Sequence, residues 1–276
     1  EREGVIYTKD GREVDVVMVY SIVRSPAGNP VNAVVNVHDV SKLREVENLR
    51  EAILSMLGHE LQTPLAIIKG YTSTLTRKDK PWDIETLQQG LQVIEEESDR
   101  LIKLMNKLLL ASRLSSGSLK LEKEPVQLPA MTQKVVNRLK TLTSKHQFKI
   151  EFTDEFPVVE AEPQLMEQVL SNLIENAIKY SPNGGTVTIS GRVMDKSIEI
   201  AVEDEGIGIP LNEMDNLFKR FSRVERGLNR RIQGVGLGLY ICKSIIEAHG
   251  GEMKATSQPG IGSRFSFTLP LDGDNL

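Results

Sequence analysis

From Ser41 onward the apolar residues of this chain repeat at helical rather than strand spacing, and they do so twice. Val46, Leu49, Ile53 and Met56 fall 3-4-3 apart, the a/d rhythm of a helical seam. The helical pattern runs to about residue 77, where RKDKPWD (77–83) breaks it. Beyond the break, Leu87, Leu91, Ile94, Leu101, Met105 and Leu108 keep a heptad register with Ser98 as its one polar member, ending near SSG (115–117). Asp39 or Ser41 suits the cap of the first helix, and Asp83 that of the second. Two long helices on a short loop fold as an antiparallel hairpin. A hairpin alone buries two apolar stripes poorly, whereas two hairpins packed as a four-helix bundle bury them well. A homodimer is therefore expected.

The segments on either side have other periods. Residues 4 to 38 read as strands: VIY (5–7), the turn KDGR (9–12), EVDVVMVYSI (13–22), the turn SPAGNP (25–30) and VNAVVNVH (31–38). Val31, Ala33, Val35 and Val37 share one face. Three antiparallel strands alone have little core. After the hairpin, SGSLKLEKEPVQL (116–128) reads as a linker with some strand character. Helices are then expected near 129–145, 163–180 and 237–249. Strands are expected near 147–153, 185–193, 196–203, 251–257 and 262–270, with a glycine-rich irregular region over 204–235. Helices among mostly antiparallel strands indicate a two-layer α/β sandwich.

Bulk properties narrow the function classes. The 276 residues allow roughly two domains. A net charge of −4 argues against a nucleic-acid partner, which needs a clustered basic surface. The single Cys242 allows no internal disulfide and fits a reducing, cytoplasmic setting. No apolar run reaches the roughly 20 residues of a membrane span, so this stretch is expected to make no membrane contact. The chain begins on Glu1 rather than Met, so a piece of a longer protein is expected, with room for a membrane anchor in the missing part.

Three stretches of the C-terminal half carry chemistry. In NLIENAIKY (172–180), Asn172, Asn176 and Tyr180 fall one helical turn apart on one face, with Lys179 beside them. Carboxamide oxygens suit a hard cation such as Mg²⁺, and a lysine meets phosphate as a point charge. Asn is a poor helix former, so two of them beside Leu173, Ile174, Ala177 and Ile178 need a reason. In DEGIGI (204–209), Asp204 can accept from an exocyclic amine, and Gly206 and Gly208 permit close backbone approach. Taken alone, that piece reads as a glycine turn. GVGLGL (234–239), with Gly234, Gly236, Leu237 and Gly238, opens a helix and makes a phosphate cradle of free N–H groups. It is neither G-x-G-x-x-G nor a P-loop. Arg223, Arg226, Arg230 and Arg231 lie between LFKRF (217–221) and Gly234, as a solvated charge run or a closure over a triphosphate.

The order of these pieces is more specific than any of them. NLIENAIKYSP, DEGIGI, FKRF, GVGLGLYICKSIIEAHGG and GIGSRFSFTLP resemble, box by box, the N, G1, F and G2 regions of the ATP-binding domain of bacterial sensor histidine kinases. LGHELQTPL (57–65) resembles that family's H box, S/G-H-E-L-R-T-P-L, and the resemblance spans about residues 40 to 272. It implies ATP with Mg²⁺ held in the sandwich. Asn176 is then the metal ligand, Asn172 and Lys179 lie near the phosphates, and Tyr180 near the sugar. Asp204 reads the adenine amine, with Gly206 and Gly208 beside it. Gly234, Gly236, Leu237 and Gly238 belong to the lid over the phosphates.

By the same resemblance His59 is the phosphoacceptor, and the chemistry suits it. A neutral imidazole is a good nucleophile near pH 7, and Glu60 is the adjacent carboxylate to hold one tautomer and take the departing proton. Neighbouring helix residues do not face each other, so Glu60 must reach around. Thr63, one turn from His59, is implied to position a water that hydrolyses the partner's aspartyl phosphate. Pro64 removes the N–H that would bond the Glu60 carbonyl and is expected to kink the helix. The implied partner is a response-regulator receiver domain. Two residues depart from the pattern: Gln62 where the family often has arginine, and Val235 where it often has a hydroxyl residue.

DGREVDVVMVYSIVRSPAGNPVNAVVNVHDVS is similar to the last three strands of a PAS sensor domain, with Asp39-Val40-Ser41 as its D-I-T-like ending. The expected organisation is a partial PAS domain over 1–40, the dimerisation and phosphotransfer hairpin over 41–117, a linker over 118–127 and the ATP-binding domain over 128–276. Two other readings fit less well. The ATPase clamps that share the nucleotide fold carry a water-activating glutamate where this chain has Asn172. A non-enzymatic scaffold with a decayed ATP site is hard to reconcile with a full set of boxes.

Overall fold

In a computed structural model of the chain, residues 2–77, 82–116, 119–222 and 235–271 are described, the side chains at 45–50, 52 and 53 excepted. They form two compact units, Glu1–Thr63 and Pro64–Leu276. None of the described helices is long and apolar enough to cross a membrane.

The first unit opens with the antiparallel strands β1 (Arg2–Tyr7), β2 (Glu13–Arg24) and β3 (Pro30–Asp39), ordered β1-β2-β3. Val16 is its one buried apolar side chain among the described residues, and Tyr20, Ile22, Val31, Val35 and Val37 are exposed. Three strands do make little core. Helix α1 (Ser41–Leu75) follows at once and runs on through Pro64 into the second unit. Of the two candidate caps, Asp39 takes the role: its carboxylate accepts from the Ser41 N–H at 2.9 Å, and that bond holds its pKa below the usual range. Ser41 instead accepts, through Oγ, from the Asp15 N–H at 3.0 Å. Arg44 pairs with Asp15 at 2.9 Å and with Glu3. The sheet and the start of the helix are thus tied by polar contacts rather than by burial.

In the second unit, α2 (Ile84–Ser115) begins where Asp83 accepts from the Thr86 N–H at 2.7 Å. Leu75 lies against Gly90, where an added Cβ would come within 2.8 Å of Leu75 Cδ1. Leu91, Ile102, Met105 and Leu109 remain exposed on α2.

The rest is the expected sandwich. Its elements are β4 (Glu124–Val126), α3 (Leu128–Lys140), β5 (His146–Phe152), β6 (Val159–Ala161), α4 (Pro163–Tyr180), β7 (Gly185–Val193), β8 (Ser197–Asp204), α5 (Leu211–Met214), α6 (Gly238–Ala248), β9 (Met253–Gln258) and β10 (Gly262–Pro270). The sheet order is β5-β7-β8-β10-β9, with β5 and β7 parallel and the other pairs antiparallel, while β4 pairs with β6. Helix α3 stops short of the expected residue 145. Thr141 Oγ1 turns back to the Arg138 carbonyl at 2.7 Å, and Thr143 Oγ1 meets His146 Nδ1 at 2.7 Å, so hydroxyls compete with the helix ladder.

Strand β8 shows how the sequence sets the layers. Ile198, Ile200 and Val202 point to the helices and are fully buried. Glu199 and Glu203 face the other way, where Arg264 reaches both and Arg192 Nε lies 2.5 Å from Glu199. Helix α4 contributes Leu165, Met166, Val169, Leu170, Leu173, Ile174 and Ala177 to the core. Each large side chain so buried is worth roughly 1.5–3 kcal/mol. Helix α6 adds Ile241, Cys242, Ile245 and Ile246.

His249, 3% exposed, ties the end of α6 to the start of α4. Its Nδ1 lies 2.8 Å from the Ile245 carbonyl, and its Nε2 accepts from the Glu162 N–H at 3.1 Å. This pairing requires the neutral ring with its hydrogen on Nδ1. Burial is the main force holding its pKa below the ordinary 6.5. A depressed histidine pKa stabilises the fold above the unfolded pKa, and that contribution is lost as pH falls through the folded one. The melting temperature of the chain is therefore expected to drop below about pH 6.5 through this group. A His249→Gln variant is expected to be less stable at pH 7.5 by about 1–3 kcal/mol, with a flatter acid limb. Thermal denaturation across pH checks both.

Candidate nucleotide and phosphoacceptor sites

Helix α4 places Asn172, Asn176, Lys179 and Tyr180 as their spacing requires, since its opposite face is locked in the core. Asn172 and Asn176 are half-buried. The Asn172 carboxamide is held: Nδ2 donates to Cys242 Sγ at 3.0 Å, and its oxygen lies against Gly238 in the first turn of α6. The Asn176 carboxamide makes no side-chain hydrogen bond to a described residue. Lys179 Nζ stands 5.4 Å from the centroid of the Tyr180 ring, which is 38% exposed.

DEGIGI joins the far end of α4. The Ile207 N–H donates to the Tyr180 carbonyl at 3.0 Å, so Asp204, Gly206 and Tyr180 lie together. A Cβ on Gly206 would fall 2.3 Å from the Tyr180 carbonyl oxygen and 2.6 Å from Asp204 Oδ1. The Gly206 N–H donates to Asp204 Oδ1 at 2.8 Å. Burial raises the Asp204 pKa, opposed by the Gly206 and Ser263 N–H groups. Gly208, at φ 61°, packs its α-carbon on the turn after β9, where a Cβ would lie 2.0 Å from the Gln258 carbonyl oxygen. This glycine serves packing as much as any ligand.

Gly236, Leu237 and Gly238 lead into α6, with Leu237 buried at its N-cap. Gly234, Arg223, Arg226, Arg230 and Arg231 lie outside the described residues. Of LFKRF, Leu217 is buried, Lys243 sits 5.6 Å from the Phe218 ring, and the Arg220 guanidinium stacks 4.6 Å from the Tyr240 ring. Arg220 also donates to Tyr240 Oη at 2.6 Å. The roles of Cys242 against Asn172 and of Tyr240 under Arg220 were not anticipated. The i, i+4 spacing of Gly238 and Cys242 on one helix face was the available signal for the first.

Among the described residues no group of three or more His, Cys, Asp and Glu is placed to hold a metal ion by itself. A cation carried by phosphates needs only one or two protein ligands, and the unengaged Asn176 carboxamide fits that demand. In the other unit, His59 is exposed on α1 and Glu60 half-buried. No hydrogen bond joins their side chains. Thr63 Oγ1 donates to the His59 carbonyl at 3.0 Å, which uses its hydrogen on the backbone next to Pro64 and leaves its lone pairs open.

A Gly208→Ala variant adds a clash to a left-handed backbone. Its stability in urea is expected to fall by at least about 2 kcal/mol relative to wild type; an unchanged midpoint would show that the DEGIGI turn does not need that approach.

Residues 49–117 match the family model described as His Kinase A (phospho-acceptor) domain, and residues 161–273 match that of the histidine kinase-, DNA gyrase B- and HSP90-like ATPases. The chain is 33% identical over 258 residues to the sensor histidine kinase WalK of Bacillus subtilis (strain 168), covering 91% of this chain and 41% of that protein. It is 35% identical over 262 residues to the sensor protein kinase WalK of Staphylococcus saprophyticus, covering 92% of this chain and 43% of that one. It thus spans less than half the length of these relatives. The solved structure of the Acinetobacter baumannii histidine kinase AdeS aligns with a TM-score of 0.60 at 28% identity, over 78% of this chain and 98% of that one. The histidine kinase ThkA, solved in complex with the response regulator protein TrrA, shares the fold with a TM-score of 0.59 at 24% identity, over 99% of this chain and 79% of that one. With a phosphoacceptor model and an ATPase model matched in that order along one chain, the protein belongs to the bacterial sensor histidine kinases.

Proposed function

We propose that this chain is the kinase core of a sensor protein, phosphorylating His59 with Mg-ATP and passing the phosphoryl group to an aspartate of a response-regulator receiver domain. The observation that carries the reading is the convergence on α4: Asn172 against the first turn of α6, Asn176 unengaged, and Asp204 beside the end of the helix. Asn176 holds the Mg²⁺, Asn172 and Lys179 meet phosphates, Tyr180 meets the sugar and Asp204 accepts from the adenine amine. Gly206 and Gly208 form the turn beside the base, and Gly234, Gly236, Leu237 and Gly238 the lid segment. Mg²⁺, when bound, supplies charge stabilisation to a transfer whose catalysis is mostly positioning.

The exposed His59 ring attacks the terminal phosphorus. A nitrogen–phosphorus bond forms, the phosphorus–oxygen bond to ADP breaks, and the ring proton passes to Glu60. In the second transfer an aspartate oxygen of the receiver domain displaces His59. The open lone pairs of Thr63 suit a water that later hydrolyses the aspartyl phosphate, so response-regulator phosphatase activity belongs to the proposal.

The organisation proposed is a partial PAS domain over 1–40, the phosphotransfer hairpin over 41–117, a linker over 118–127 and the ATP-binding domain over 128–276. Leu54 and Leu65 on α1 and Leu91, Ile102, Met105 and Leu109 on α2, all exposed in the single chain, support a homodimeric four-helix bundle. The site of action is cytoplasmic.

Incubation with Mg²⁺ and γ-labelled ATP tests the reading. Acid-labile, alkali-stable label is expected on wild type and none on His59→Gln. Label retained in the variant, or none on a wild type that binds ATP, would overturn it. An Asn176→Ala variant is expected to lose at least about tenfold in Mg-ATP affinity, on the scale of losing one metal-ligand or charge-assisted contact. Calorimetric titration checks that loss, and unchanged affinity would remove Asn176 from the metal site.

A further inference from the structure

The first turns of α6 form a notch that fits one side chain of α4. Gly238 and Cys242, four residues apart, share the face toward α4. Without a side chain at Gly238 the Asn172 amide comes close enough that a Cβ there would lie 2.6 Å from Oδ1 and 2.9 Å from Nδ2. On the next turn Cys242 Sγ accepts from Asn172 Nδ2 at 3.0 Å. The sulfur lies 4.0 Å from the Val169 carbonyl oxygen, one turn before Asn172 on α4. With the thiol hydrogen directed at Val169, the sulfur lone pairs remain to accept from the amide. That order selects the amide orientation with Nδ2 toward sulfur and Oδ1 toward the first turn of α6.

We infer that Cys242 is a positioning residue of the nucleotide site, a neutral hydrogen-bond acceptor that fixes the orientation of Asn172. The inference rests on the reading of Asn172 as a phosphate-facing residue. Burial pushes the Cys242 thiol up to about 12, so it stays protonated at neutral pH and brings no negative charge beside phosphates. Serine preserves the acceptor at nearly the same place. Valine and alanine leave the Asn172 N–H group without its partner, free to turn over.

The test is a double-mutant cycle on the whole chain, with Mg-ATP titrated by calorimetry and each variant's fold checked by thermal denaturation. Cys242→Val is expected to raise the Kd about tenfold, the usual scale for coupling between contacting polar groups. Cys242→Ala repeats the comparison without added volume, and Cys242→Ser is expected to stay within about twofold of wild type. In an Asn172→Ala background, Cys242→Val is expected to add less than about twofold, because the group it positions is gone. Wild-type affinity in Cys242→Val and Cys242→Ala would overturn the inference, as would an equal loss in both backgrounds. A wild type that binds no nucleotide would instead sink the functional reading, and this inference with it.

Discussion

Helix α4 has to serve two environments at once, and the C-terminal half of the molecule depends on that division. Seven of its side chains are sealed in the core against the sheet and the neighbouring helices. The helix cannot rotate without taking Leu170 or Ile174 into water, a cost of roughly 1.5–3 kcal/mol for each. Asn172, Asn176 and Tyr180 are therefore held in a fixed direction by the burial of residues that do no chemistry. Poor helix formers survive at 172 and 176 because the apolar face stabilises the helix regardless.

The neighbouring elements then close on that face through contacts that leave little freedom. Gly206 lets the backbone of DEGIGI meet the Tyr180 carbonyl, and Gly238 lets α6 meet Asn172. His249 fastens the far end of α6 to the residue that precedes α4. The residues proposed to bind nucleotide thus share one rigid support, the arrangement that positioning catalysis requires. His59 has the opposite setting. It is exposed on a helix whose own unit has almost no apolar core among the described residues. That exposure suits the proposed role, in which the ring meets both an ATP site and a receiver domain.

Much of this was legible in the residues. The heptad apolar spacing located both long helices, α2 from Ile84 to Ser115 closely so, and the five strands of the main sheet lie within about two residues of where they were expected. The shared face of Asn172, Asn176 and Tyr180 on α4 followed from a period of 3.6. What was not legible came from contacts distant in sequence. The short strand Val159–Ala161 pairs with Glu124–Val126 and has too few residues to show a period. The end of α3 depended on hydroxyls of Thr141 and Thr143 finding partners. Cys242 is buried on α6, and its bond to Asn172 joins residues 70 positions apart. Gly208 looked like a ligand-approach glycine, and its close packing on Gln258 appears only once β9 is in place.

On the proposed function, the α4 face and Asp204 together form an adenine-nucleotide site. Competition between ATP and GTP for the wild-type chain, repeated with Asp204→Asn, tests it most directly. In the proposed role the Asp204 carboxylate accepts from the amine of adenine and meets the carbonyl that guanine presents at that position with another acceptor. Wild type is predicted to prefer ATP by at least about a hundredfold, with Asp204→Asn losing most of that preference. Equal binding of ATP and GTP by wild type, or selectivity untouched in Asp204→Asn, would remove Asp204 from adenine recognition.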